Sequence, residues 1–299
     1  MSDNHTDLVN LETSTVTTAD GAALALRVLP HADPAAPVVL VLPAMAIKAK
    51  YYLPLITALH AAGLTAAVLD LRAQGDSTPA LGEGPGFGYR ALLETDLPAV
   101  AAELGQQFPQ APLHLFGHSL GGQLALLFAA AEPDRVASVT TIGTGSVYWR
   151  SFEPSRRLAV LAQGLWVGVV TRLRGRWPGG SGIGPMTAGV MLDWARHLRT
   201  GHYRPSGSTR DYDQLLGLLA VPVLVISLDG DPLGPQSTVR FLCRRIAVAK
   251  PVRWHIDRSS GMTHIGHASW VKDSDKVAPA VAAWIIDGRA PQLREGSAQ

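Results

Sequence analysis

The chain has 299 residues, of which 47% are hydrophobic and 17% charged, so it is not a disordered polymer and holds enough apolar side chain for a sizeable core. A net charge of +2 excludes a general affinity for nucleic acid, and a single cysteine, Cys243, excludes an internal disulfide. The charge is unevenly spread, because ten arginines stand between Trp149 and Arg210 against only Glu153 and Asp193.

Residues 1–11 read as a frayed start. Thr13–Thr18 and Ala22–Leu29 are β-rich runs joined by Asp20-Gly21, a hairpin signal. Val38–Leu42 is continuously apolar, as strands buried on both faces of a parallel sheet are. Tyr52–Ala62 has helical spacing and ends at Gly63, and Leu64–Leu69 is the next strand. A glycine-rich loop, 82–88, precedes an amphipathic helix from Tyr89 to Gln107.

Next comes the strand 113–117, then Gly117-His118-Ser119-Leu120-Gly121, then an alanine- and leucine-rich helix to Ala131. Strand, glycine-flanked serine and helix in immediate succession predict a tight turn that lifts the Ser119 hydroxyl above the sheet end. A Cβ at Gly117 or Gly121 would strike the neighbouring strand or helix. Val136–Ile142 is a further strand.

The strand–helix rhythm stops at Ser146. Helical stretches near Leu158–Leu173 and Met186–Arg199 follow, separated by the glycine/proline cluster 175–185. The rhythm resumes with Val221–Ser227, a helix at Gln236–Ile246, the strand Pro251–Ile256 and a last helix at Ser274–Ile286. The pattern predicts an α/β fold, a mostly parallel doubly wound sheet with a helical cap insertion over the strand ends. The expected division is 1–145 for the first half of the core, 146–219 for the cap and 220–299 for the rest.

A serine hydroxyl becomes a nucleophile only when a base takes its proton and a third group orients that base. In this order of elements the acid is expected after Val221–Ser227, where Asp229 and Asp231 stand, and the histidine after Pro251–Ile256, where His264 and His267 stand. Taken singly, each is as readily a solvated loop residue; the three types in order at three strand ends are not. Among the ten histidines there is no H-E-x-x-H, and there are no cysteine pairs; G-x-G-x-x-G and a phosphate-binding loop motif are also absent, so no metal, nucleotide or other cofactor is expected.

Through Gly117-His118-Ser119-Leu120-Gly121 the chain resembles the α/β-hydrolase-fold superfamily. More narrowly it is similar to a bacterial predicted α/β-hydrolase group related to serine aminopeptidase- and lysophospholipase-like proteins. The narrower likeness rests on Pro43-Ala44-Met45, Tyr51-Tyr52, Tyr148-Trp149, Pro178-Gly179, Asp193-Trp194-Ala195-Arg196 and Gly266-His267. The resemblance implies Ser119 as nucleophile, Asp231 as acid and His267 as base, with Asp229 and His264 in reserve. It implies an oxyanion hole from the backbone N–H groups of Leu120 and Met45, with Ala46 where the group has glycine. His118, Arg72, Gly75 and Ser77 read as structural, the last three with substrate contact as the alternative.

The expected activity is hydrolysis of an ester, thioester or related acyl bond of a small apolar substrate. Acyl transfer or perhydrolysis on the same residues, and a ligand-binding protein with little turnover, are the alternatives. Leu158–Val170 is expected to pack over the active site, with Trp149, Trp166, Trp177 and Trp194 as candidates for an acyl-binding wall. The arginines are either a solvated face or an attractor of anionic substrates or lipid surfaces. The polar N-terminus has no leader pattern and no apolar run reaches a membrane span, so a cytoplasmic protein without an integral membrane segment is expected. A homodimer is left open.

Overall fold

The computed structural model describes residues 10–84, 86–180 and 182–291. Most of the stretch read as a frayed start therefore lies outside the described residues. Eight strands form one sheet. β1 (Glu12–Thr17) pairs antiparallel with β2 (Ala23–Leu29), and β2 pairs antiparallel with β4 (Thr65–Leu69). β3 (Val38–Leu42), β4, β5 (Leu113–His118), β6 (Ser138–Ile142), β9 (Val223–Leu228) and β10 (Val252–Ile256) run parallel to one another, and the sheet order is β1-β2-β4-β3-β5-β6-β9-β10.

The central strands are apolar without alternation because both faces are covered. Val39, Val41, Val68, Phe116 and Ile226 face a core shared with α1 (Leu53–Ala61) and α9 (Ser274–Asp287). Leu40, Leu42, Leu115, Val139 and Val225 face the core containing α3 (Leu97–Gln107), α4 (Leu120–Ala131) and α8 (Gln236–Arg245). The helix expected at 89–107 is α2 (Tyr89–Ala91), a π turn (Leu92–Asp96) and α3 in unbroken succession. Pro98 lacks the N–H that would bond back to Glu94, which accounts for the wider turn there.

Between β6 and β9 the chain leaves the sheet. α5 (Arg157–Arg174) packs on α6 (Ala188–Thr200), and the two-residue strands β7 (Arg176–Trp177) and β8 (Met186–Thr187) pair between them. β7, β8 and α7 (Tyr212–Leu218) have no counterpart in the sequence reading, and α7 packs on α4. The buried Asp193 ties α6 to the core. Its carboxylate accepts from the N–H of Tyr89 at the start of α2 (3.1 Å) and from the N–H and hydroxyl of Ser206 (3.0 and 2.6 Å).

Candidate active site

Ser119 stands between β5 and α4 with φ 54° and ψ −113°, a conformation that L side chains seldom adopt. Neighbouring elements hold it there. Its N–H donates to the Ile142 carbonyl of β6 (3.1 Å), and its own carbonyl accepts from the N–H groups of Gly122 and Gln123 (3.1 and 3.2 Å). The flanking glycines are dictated by approach distance. A Cβ on Gly117 would lie 2.3 Å from the Gly122 Cα, and one on Gly121 would lie 2.0 Å from the Leu42 carbonyl oxygen at the end of β3. The elbow is thereby wedged between two strands and a helix.

The loop after β9 carries Asp231, and the loop after β10 carries His267. His267 Nε2 is 3.0 Å from Ser119 Oγ, and His267 Nδ1 is 2.7 Å from Asp231 Oδ2. The other oxygen of Asp231 accepts the N–H groups of Leu233 (2.8 Å) and Gly234 (3.1 Å). Burial favours the neutral acid, but the His267 hydrogen bond and charge and the two N–H groups outweigh it and hold the Asp231 carboxyl below its ordinary range. A carboxylate so satisfied fixes its Nδ1 neighbour as a donor and leaves Nε2 turned to the serine.

The two reserve residues lie elsewhere. Asp229 is exposed on its turn. His264 sits 3.1 Å from Asp273 Oδ1, and that aspartate also accepts from the N–H groups of Thr263 and His264. Arg72 and Ser77 are buried structural residues, and Gly75 is exposed on the turn between them with a left-handed φ of 55°. Arg72 pairs with Asp20 (2.7 Å) and Asp96, and the Ser77 hydroxyl donates to the Asp70 carbonyl (2.6 Å) while accepting from the Ala25 N–H (2.9 Å).

His118, fully buried beside the serine, has a role that its neighbours define. Its Nε2 is 2.7 Å from the His267 carbonyl oxygen, an acceptor only, so Nε2 carries the proton. Nδ1 is therefore an acceptor, and the Tyr52 hydroxyl 2.7 Å away donates to it. The same tyrosine oxygen accepts the Ala44 N–H (2.9 Å). One imidazole and one phenol thus connect the end of β3, the serine turn and the histidine loop. Burial, and secondarily the charge of His267, push the His118 imidazole down to about 3, so it stays neutral; burial also raises the Tyr52 hydroxyl above its ordinary value. In the sequence Tyr52 stands only as the start of a helix and as half of the Tyr51-Tyr52 pair. Nothing in the sequence signals that its hydroxyl returns to the end of β3.

A cavity of about 360 Å³ opens above Ser119 and His267. Met45, Ala46, Phe152, Val160, Ile183, Trp194 and Leu233 line it, with Gln123, Arg156 and Gln163 supplying the polar wall. Of the four tryptophans expected there, Trp194 alone lines it. Trp177 is buried in the insertion with its Nε1–H on the Ile183 carbonyl (3.2 Å), Trp149 stacks under the Arg150 guanidinium, and Trp166 faces solvent. α5 likewise covers the cavity with one face only, through Val160 and Gln163, while Leu158, Leu165, Trp166 and Val169 on the other face are exposed. Ala46 takes a left-handed φ of 60°, a conformation that favours glycine.

Residues 37–173, from the start of β3 nearly to the end of α5, match the sequence family described as the alpha/beta hydrolase fold. No curated protein matches the chain. Among solved structures, mouse alpha/beta hydrolase domain-containing protein 10 superposes with a TM-score of 0.64 at 17% identity, covering 93% of this chain and 99% of that one. An esterase from Exiguobacterium antarcticum gives 0.62 at 14% identity over 92% and 99%. A thioesterase domain from the curacin biosynthetic pathway gives 0.58 at 19% identity over 92% and 99%. At these identities the likeness is one of fold. The chain is a protein of the α/β-hydrolase fold, as the sequence resemblance implied.

Proposed function

We propose that this protein is a serine hydrolase that cleaves an ester, thioester or related acyl bond of a small, largely apolar substrate. Ser119 is the nucleophile, His267 the general base and Asp231 the acid that orients it. The observation that carries the reading is the unbroken hydrogen-bonded line from Ser119 Oγ through both nitrogens of His267 to buried Asp231, at the floor of an apolar cavity.

Ser119 Oγ attacks the acyl carbon while its proton passes to His267 Nε2. The resulting imidazolium is stabilised by the Asp231 carboxylate, which stays ionised. Negative charge on the former carbonyl oxygen is met by the N–H groups of Leu120 and Met45, the first at the positive end of α4. Among the described residues neither of these N–H groups donates to a backbone carbonyl. The proton on Nε2 then passes to the leaving oxygen or sulfur as its bond to carbon breaks, giving an acyl-enzyme. Water, deprotonated by His267, repeats the sequence and releases the acid and free Ser119. Each oxyanion donor contributes roughly 10²–10³ in rate. The stretch 146–219 is the lid in this reading, with Trp194 and Val160 on its underside against the acyl group.

The test is fluorophosphonate labelling of wild type and Ser119→Ala, read by intact mass, followed by ester and thioester panels of graded chain length. A single adduct that disappears in the variant supports the reading. No adduct on folded wild type overturns it in favour of a binding protein.

A further inference from the structure

α5 is apolar nearly all the way round. Val160, Gly164, Val167, Gly168 and Thr171 are its buried residues, and it packs against α6. The opposite side is a row at helical spacing: Leu158, Leu165, Trp166, Val169 and Leu173 are 74%, 48%, 61%, 50% and 82% exposed. Five of the ten exposed large hydrophobic residues among those described fall on this one helix face, so the exposure is a patch and not scatter. Arg157 stands at one end and Arg172 and Arg174 at the other. Among the described residues, only Arg196 and Arg210 of the ten arginines in this region meet a carboxylate, on Asp193 and Glu132.

We propose that this face is a peripheral docking surface for an anionic lipid bilayer. α5, about 27 Å long, lies in the headgroup plane with Leu165, Trp166 and Val169 turned toward the acyl chains and the terminal arginines against lipid phosphates. No helix among the described residues is long and apolar enough to cross a membrane, so the helix lies on the surface. A second copy of the chain satisfies the apolar row but sets arginine ends against arginine ends, a like-charge contact that an anionic headgroup layer reverses. The inner side of α5 lines the cavity, so docking sets that cavity about one helix diameter from the bilayer.

The inference rests on the exposed face and its charge, not on the hydrolase reading, and its test separates the two. The full chain is floated with vesicles of phosphatidylcholine alone and of phosphatidylcholine with phosphatidylglycerol. It is expected to float with the anionic vesicles and to be released as salt rises. Trp166→Ser combined with Leu165→Ser lowers partition at least about tenfold. Arg172→Glu and Arg174→Glu each lower it about fivefold on anionic vesicles only. All four side chains are exposed, so circular dichroism and Ser119 labelling should be unchanged. Brominated lipid should quench wild type more than Trp166→Phe. Equal partition to neutral and anionic vesicles, or none by folded wild type, overturns the proposal. So does a dimer that Trp166→Ser dissociates without any vesicle binding.

Discussion

Tyr52→Phe removes one oxygen from a fully buried side chain and tests whether the network behind the serine holds the site in place. In wild type that oxygen accepts the Ala44 N–H at 2.9 Å and donates to His118 Nδ1 at 2.7 Å. Phenylalanine fills nearly the same volume, so packing is kept while two buried polar groups lose their partner. Each such orphan costs about 1–3 kcal/mol, which gives roughly 2–6 kcal/mol in all. The cost should appear as a lower denaturant midpoint at unchanged slope, since the surface exposed on unfolding is the same. Ala44 immediately precedes Met45, so kcat on an activated ester should fall about tenfold or more while KM changes little. A stability loss under about 0.5 kcal/mol would refute the reasoning, because the hydroxyl would then be exchanging its partners without penalty.

Further outcomes follow from the same geometry. Asp231→Ala should lower kcat by about 10⁴, whereas Asp229→Ala should leave it within about twofold, and equal small effects would remove Asp231 from its role. Burial pushes the imidazoles of His114, His118 and His197 down to about 4, 3 and 3, so each is neutral in the fold while the unfolded chain takes up protons near 6.5. The unfolded state therefore binds more protons below that pH, and stability should be full above about 6.5. It should fall toward pH 4 by up to about 1.4 kcal/mol per pH unit for each histidine; denaturant midpoints that stay flat over that window would contradict this. Ala46→Gly should leave stability unchanged or raise it by up to about 1 kcal/mol, because it relieves a left-handed alanine, and a large loss in a melting series would show that the methyl group holds the loop. Gly184→Ala should do the reverse. Its Cβ would fall 2.4 Å from the Ala46 Cβ, so the two loops over the cavity must part, and KM should rise more than kcat falls.

The sheet and the loops that carry Ser119, Asp231 and His267 were legible because both leave strong local marks. Strands buried on two faces must be apolar throughout, so β3 was read to its limits as Val38–Leu42 and the others to within a residue or two. Ser119 announced itself by glycines that approach distances of 2.0–2.3 Å enforce. Asp231 and His267 stand one loop beyond strands that were themselves readable. The choice between Asp231 and Asp229 was not legible from composition, since both lie on one turn and only the fold decides which side chain is buried. The resemblance ranked them, and the geometry joins Asp231 to His267 and leaves Asp229 in solvent.

α5 lines the cavity above Ser119 through Val160 and Gln163, but which of its faces turns inward is not legible in the sequence. Periodicity identifies the face a helix buries only when the opposite face is polar, and 158–170 is apolar except for Gln163 and two glycines, so the expectation that it packs over the active site does not say which face does so. A residue on a helix fixes the direction of its neighbours at i+3 and i+4, not the direction of the next element. Here α6 takes the small residues Gly164 and Gly168, where two helices can approach closely, and a Cβ on Gly164 would lie 2.4 Å from Leu198 Cδ2. That choice turns the bulky row of Leu158, Leu165, Trp166 and Leu173 outward. The glycines were visible in the sequence, and close helix contact was the signal they carried. Once the small residues are assigned to the inner seam, the outer row follows from 3.6 residues per turn, and so does its conflict with water, which a bilayer would resolve.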